Sequence, residues 1–211
     1  MQPRSSRRSN SERSAEMRAR LIATARRLFV AHGYAATSTP AIVEEAGVTR
    51  GALYHHFPDK QAIFQAVIDA ESAHVAEAIE AVDAPAMTAL ERLLAGADAY
   101  VRTMQVGGRT RLLLVDGPAV LGREAMRQIE GQHGDANLKI GLEEAMAEGS
   151  LPRLPIEPLA SLLSAMFERA ALDVADGTAP ADVLTALRQI LTGLTASDQG
   201  SAGQNNARID G

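Results

Sequence analysis

Residues 37–60, TSTPAIVEEAGVTRGALYHHFPDK, restrict the possible fold more than any other stretch of the chain. Thr39 is a candidate helix cap, and Pro40 then falls at the first helical position, where proline is tolerated. Ile42, Val43 and Ala46 give the short helix that follows one apolar side. Gly47 supplies the unhindered backbone a sharp turn needs. Thr49 is a second cap, Arg50 to His56 forms a second short helix, Phe57 and Pro58 end it, and Asp59 caps the next. Two short helices joined through a glycine turn predict a helix-turn-helix, whose second helix fits the major groove of DNA.

The flanks supply what such a pair needs, because two short helices cannot bury enough surface alone. Ser14 to His32 predicts a helix with Met17, Leu21, Ala25, Leu28 and Phe29 at helical spacing, stopped by Gly33. Asp59 to about Val82 predicts a long helix striped with Ile63, Phe64, Val67, Ile68, Val75 and Ile79. Beyond Pro85 the pattern stays helical. Helices are expected at Met87–Val106, at Arg109–Val115 (broken by Asp116, Gly117 and Pro118) and over Ala119–Glu148 with a kink near Gly131–Asp135. Pro152, Pro155 and Pro158 predict an extended linker, and Leu159–Val174 and Asp182–Leu194 a closing pair of helices. No stretch alternates as a strand does, so the expected fold is all-α. The expected organisation is a basic disordered arm at 1–13, a helix-turn-helix domain at 14–60, a helical ligand-binding and dimerisation domain at 61–196 and a disordered tail at 197–211.

Charge separates along this line. Residues 1–60 carry ten Lys/Arg against five Asp/Glu, whereas residues 61–211 carry eleven against twenty-one. A basic front on an acidic protein is the footprint of a segment that meets a polyanion, or of a solvated tail beside an unrelated domain. Arg4, Arg7, Arg8 and Arg13 in the arm can meet phosphates or a minor groove, or serve only solubility. There is no cysteine, which excludes disulfides, thiolate metal sites and cysteine nucleophiles and is compatible with a cytoplasmic location. No run of about 18 apolar residues is present, so no membrane span is expected. The chain has no phosphate-binding loop, dinucleotide glycine fingerprint, HExxH or GxSxG, so no enzyme, metal or cofactor is expected.

Leu28-Phe29, Gly33-Tyr34, Thr37, Ile42, Ala46-Gly47-Val48, Gly51, Leu53-Tyr54, His56-Phe57, Lys60 and Phe64 closely resemble the DNA-binding domain of the TetR family of bacterial transcription regulators. The resemblance covers roughly residues 15–65; the all-helical remainder fits the family's second domain by architecture only. It implies a homodimeric, ligand-responsive repressor on a palindromic operator, released when a small-molecule effector shifts the spacing of the two DNA-binding domains. An activator, or a regulator governed by a protein partner, fits the same fold. One departure is Pro40-Ala41, where the family often has a basic or polar residue just inside the second helix.

Arg50 is the best base-reading candidate, since Arg binds guanine through two hydrogen bonds; a phosphate contact is its plainer role. Thr49 can cap and also reach a phosphate. Gly51 resembles the position where a small residue permits close approach to DNA. By resemblance Thr39, Tyr54 and His56 stand at phosphates, His55 lies near DNA, and Lys60 can meet its backbone. For the effector, Tyr100, Arg102, Met104, Met126, His133, Met146 and Met166 are candidates, each with an ordinary core or surface role as the alternative. With Tyr100 and Phe167 the only aromatics beyond Phe64, an aliphatic or mixed apolar effector is favoured.

Overall fold

A computed structural model describes residues 9–82, 84, 86–133 and 135–195. The described residues are helical and contain no strand. In chain order they form α1 (Asn10–Ala36), α2 (Thr39–Ala46), α3 (Arg50–His56), α4 (Lys60–Glu80), α5 (Ala89–Met104), α6 (Arg109–Arg111), a π-helical turn (Leu112–Asp116), α7 (Gly117–Leu121), α8 (Arg123–His133), α9 (Asp135–Ala147), α10 (Ile156–Ala175) and α11 (Pro180–Gly193). The chain divides into two compact units, Met1–His74 with Val106–Gly131 and Val75–Gln105 with Gln132–Gly211. The dividing point falls inside α4, and the first unit includes a later segment as well as the helix-turn-helix. The sequence carries no signal for that later return.

Helix α1 starts earlier than Ser14. Ser9 accepts from the Glu12 amide at 3.1 Å while Glu12 accepts from the Ser9 amide at 2.7 Å, a reciprocal cap that lets residues 10–13 of the expected arm coil. Arg4, Arg7, Arg8 and the 197–211 tail lie outside the described residues. Gly33 adopts φ +78° and ends the straight part of α1, as its sequence position suggests. Just beyond, the buried Thr37 hydroxyl donates to the Gly33 carbonyl at 2.8 Å. The first unit's core gathers Leu21, Ala25 and Phe29 of α1, Ile42 and Ala46 of α2, Leu53 of α3, Phe57, and Ile63 and Phe64 of α4, all essentially sealed from solvent. Phe29 meets Phe64 edge-on at 5.1 Å between ring centroids, and Tyr34 meets Phe64 at 4.9 Å, a preferred aromatic geometry.

The expected break at Asp116–Pro118 does not occur. Pro118 has no amide to donate, and the helix accommodates it by widening: the Gly117 amide reaches the Leu112 carbonyl five residues back. The actual stop is Gly122, at φ +83°. A buried ion cluster holds this segment. Glu71 on α4 accepts from Arg26 Nε at 2.8 Å and from Arg109 Nε at 2.9 Å.

In the second unit α5 opens with a reciprocal Thr88–Glu91 cap. Its core is built from small and aliphatic residues, Ala89, Ala97, Leu142, Ala145, Ala160, Leu163 and Leu191 among them. Small side chains bring the helices close; a Cβ on Gly141 of α9 would stand 3.1 Å from Leu93 of α5. Helix α10 begins at Ile156, so Pro158 belongs to its first turn, where proline is tolerated, and not to the linker.

Candidate nucleic-acid interface

The helix-turn-helix is set by caps on both sides of its turn. Ser38, not Thr39, is the N-cap of α2, accepting from the Ala41 amide at 3.2 Å. Thr39 is therefore the first helical residue and Pro40 the second, a shift of one position from the expected cap; either hydroxyl type caps, and the backbone decides between neighbours. Gly47 ends α2 in the left-handed conformation at φ +61°. Its amide donates to the Glu44 carbonyl at 3.0 Å and the Val48 amide to Val43 at 3.1 Å, the paired bonds of a Schellman stop. Thr49 then caps α3, accepting from the Ala52 amide at 3.1 Å. The Phe57 amide closes the helix on Leu53 at 2.8 Å, and Asp59 caps α4 through the Ala62 amide at 2.7 Å.

These caps fix which side of α3 is free. Leu53 faces the core with no exposed surface, whereas Arg50, Gly51, Tyr54 and His55 are exposed together on the opposite side. Thr49 is exposed at its start, and His56 is half-buried at its end. The Arg50 guanidinium lies 6.0 Å from the Tyr54 ring centroid. Tyr54 and Thr39 share a hydroxyl hydrogen bond at 3.4 Å, which joins the start of α2 to the recognition helix. That bond first, and one with Arg50 second, hold the Tyr54 phenol below its ordinary pKa. The result is an exposed hydroxyl beside a cation, chemistry suited to a phosphate oxygen. Nothing inside the chain demands a glycine at 51: a Cβ there would meet only the Thr49 hydroxyl, at 3.9 Å.

Lys60 is turned another way. Its ammonium donates to the Tyr34 carbonyl at 2.9 Å and sits 4.1 Å from the Tyr34 ring centroid. It is half-buried and closes the α1–α2 corner, so its charge is directed at the protein. His55 and His56 stack edge-on at 5.2 Å, and among the described residues no group of three or more His, Asp or Glu is arranged to hold a metal ion.

Family likeness extends over both units. Residues 21–67 match the family model for bacterial regulatory proteins of the TetR family, and residues 90–196 match the tetracyclin repressor-like C-terminal domain. The chain belongs to the TetR family. It is a DNA-binding transcriptional regulator of that family. The helix-turn-helix-type transcriptional regulator TtgR of Pseudomonas putida is 43% identical over 75 residues, which is 34% of this chain and 36% of TtgR. The transcriptional repressor AcnR of Corynebacterium diphtheriae is 38% identical over 71 residues, 34% of this chain and 37% of AcnR. The chain thus aligns with little more than a third of the length of these curated relatives. A TetR-family regulator from Pectobacterium atrosepticum, solved by crystallography, superposes with a TM-score of 0.72 at 30% identity, covering 91% of this chain and all of that one.

The expected effector residues are divided between the two units. Met126 is buried on α8 of the first unit, against Gly117. In the second unit Met104 is fully buried, while Met146, Met166 and Tyr100 pack against the core, Tyr100 with Phe167 at 6.2 Å. Arg102 is exposed and paired with Asp98 one turn back. His133 ends α8, half-buried. A shallow recess of about 410 Å³ lies along α5 and α11, lined by Ala86, Met87, Glu91, Leu94, Ala95 and Arg188, and none of the seven expected residues borders it. Helical spacing marks such side chains as apolar; it does not tell a pocket wall from a core.

No helix among the described residues is long and apolar enough to cross a membrane.

Proposed function

We propose that the protein is a homodimeric repressor that leaves a palindromic operator when a small apolar effector binds its second unit. Thr49, Arg50, Gly51, Tyr54 and His55 form its groove-facing surface, with Arg50 reading a base and Tyr54, Thr39 and His56 at phosphates. The observation that carries this reading is the shared exposure of that face on a helix capped at both ends, with Leu53 anchoring its back. A rigid, capped helix holds its side chains in register with base edges.

The dimer reading rests on α10 and α11. Leu162 is 70% exposed and Ile190 51% exposed, each a large apolar residue in a face otherwise made of small or polar ones. Two such hairpins across a two-fold axis build a four-helix bundle and cover both residues. The repressor sense agrees with the name of the relative AcnR. The apolar effector agrees with the aliphatic interior of the second unit. Release of DNA requires the effector to bind one conformation of the dimer more tightly than the other. A cytoplasmic location follows from work on bacterial chromosomal DNA.

The test is selection from random duplexes with the purified full chain, followed by binding of the selected duplex against a scrambled one. Recovery of an inverted repeat, with half-sites about one or two helical turns apart, supports the reading. Recovery of no sequence preference sinks it.

A further inference from the structure

The arginines of α1, α3 and α6 fall into two groups. Arg26 is matched by Glu71 at 2.8 Å, Arg27 by Glu45 at 3.2 Å, Arg109 by Glu71 at 2.9 Å and Arg111 by Asp116 at 3.4 Å. Arg13, Arg18 and Arg20, all exposed on the first half of α1, meet no carboxylate among the described residues, and neither does Arg50 at the head of the recognition helix. Two acidic residues share that half-helix. Glu12 is committed to the Ser9 cap, at 2.7 Å, and Glu16 has an interaction of its own.

The half-helix is itself unusual. From Asn10 to Arg20 every residue except the half-buried Met17 is exposed, and the first sealed residue is Leu21. A helical segment of this length gains little from propensity alone and is held here by its reciprocal cap. It also lies against the chain on either side of the recognition helix. The Arg20 guanidinium stands 3.1 Å from where a Cβ of Gly47 would be, beside the turn that leads into α3. On the other flank, the Arg18 guanidinium lies 5.4 Å from the ring centroid of Phe57, the residue that ends α3. The unmatched charge on α1 therefore borders the turn before α3 and the residue that ends it.

We infer that Arg13 and Arg20 form a second, sequence-independent DNA surface, a rigid basic ridge that lies along the phosphates flanking the bases read by α3, with Arg18 bracing the ridge against Phe57. Arg13 and Arg20 are two helical turns apart on the same side, about 10 Å along the axis, the length over which one DNA strand advances by about three phosphates. A helix carries its charges at fixed spacing, which a flexible arm does not. The ridge also offsets the lack of a basic or polar side chain at Pro40-Ala41 near the start of α2. The inference rests on the DNA reading above.

The experiment measures binding of the full chain to its selected duplex and to a scrambled duplex across a salt series, for wild type, R13Q, R20Q, the double variant, R13K/R20K and R123Q. Arg123 is an exposed arginine of α8, outside the ridge, and controls for removal of charge as such. For each phosphate that is no longer neutralised, the slope of log K against log salt falls by about 0.9. R13Q and R20Q are expected to flatten the slope on both duplexes equally, with the ratio of specific to scrambled affinity unchanged. R13K/R20K keeps the wild-type slope, as does R123Q. Wild-type slopes in R13Q and R20Q overturn the ridge while the DNA reading stands, and so does an equal flattening in R123Q. A wild-type protein that prefers no duplex fails the DNA reading and the ridge with it, a different result.

Discussion

Glu71 Oε2 accepts a hydrogen bond from Arg109 Nε at 2.9 Å, and both side chains are more than nine-tenths buried. Arg26 grips the same carboxylate from α1 through two further bonds, at 2.8 and 2.9 Å. One buried carboxylate thus ties α1, α4 and α6 together. Removing one member of a buried pair leaves the other charge desolvated and uncompensated, which costs about 3–5 kcal/mol. Glu71→Gln is expected to lower stability by about 3 kcal/mol or more in urea titrations at neutral pH. Arg127–Glu124 sets the contrast: its partners are both 71% exposed, and Glu124→Gln is expected to change stability by less than about 1 kcal/mol.

The same carboxylate gives the protein an acid-sensitive element. Burial alone pushes the Glu71 pKa up, and the hydrogen bonds from Arg26 and Arg109 outweigh it, so the folded value lies below the ordinary 4.5. A carboxyl with a depressed folded pKa adds stability that is complete above its unfolded value and is lost as pH falls through the folded one. Melting temperatures measured from pH 7 to pH 3 should fall more steeply below about 4.5 in wild type than in Glu71→Gln, which lacks this proton uptake. Parallel curves would show that the cluster does not set the acid response.

Local grammar makes the first unit legible. Glycines at 33 and 47 and hydroxyls before helices announce backbone geometry within a few residues of themselves. Within the helix-turn-helix the differences amount to single residues, as with Ser38 taking the cap from Thr39, because adjacent hydroxyls look alike until the backbone chooses. Long-range pairing is not legible. Nothing in the run around Glu71 distinguishes it from the solvated acids of other helices, and its partners stand 45 and 38 residues away. The π turn is hidden for a related reason: Gly117-Pro118 reads as a breaker, and only the surrounding packing lets the helix widen and continue. In the second unit Leu, Met and Ala recur at core spacing, and that spacing does not say which of them faces a ligand or a partner.

Leu162 on α10 and Ile190 on α11 test the dimer. Leaving two large apolar residues in water loses roughly 1.5–3 kcal/mol each relative to burying them. Leu162→Glu with Ile190→Glu would place like charges across a two-fold axis, where the same patch faces itself. Sedimentation of wild type is expected to give a dimer and of the double variant a monomer with unchanged helical circular dichroism. The monomer should bind the selected duplex at least about tenfold more weakly, since only one half-site is engaged at a time. A wild type that sediments as a monomer, or a variant that remains dimeric, places the interface elsewhere or removes it.

Gly51 separates folding from function, because its two effects have opposite signs. Glycine inside a helix costs about 0.5–1 kcal/mol relative to alanine. The Gly51 side of α3 is open, and a new methyl would meet nothing nearer than the Thr49 hydroxyl at 3.9 Å. Gly51→Ala should therefore raise stability by a few tenths of a kcal/mol up to about 1. If α3 lies in the groove as proposed, the same methyl stands between the helix and DNA and weakens specific binding several-fold, with less effect on the scrambled duplex. Urea titration and duplex binding on one preparation measure both. A variant that gains stability and keeps its affinity would mean that α3 does not approach DNA along this face, and Arg50 and Tyr54 would lose their assigned roles with it. Gly47→Ala serves as the control for backbone strain: at φ +61° it should lose stability and affinity together.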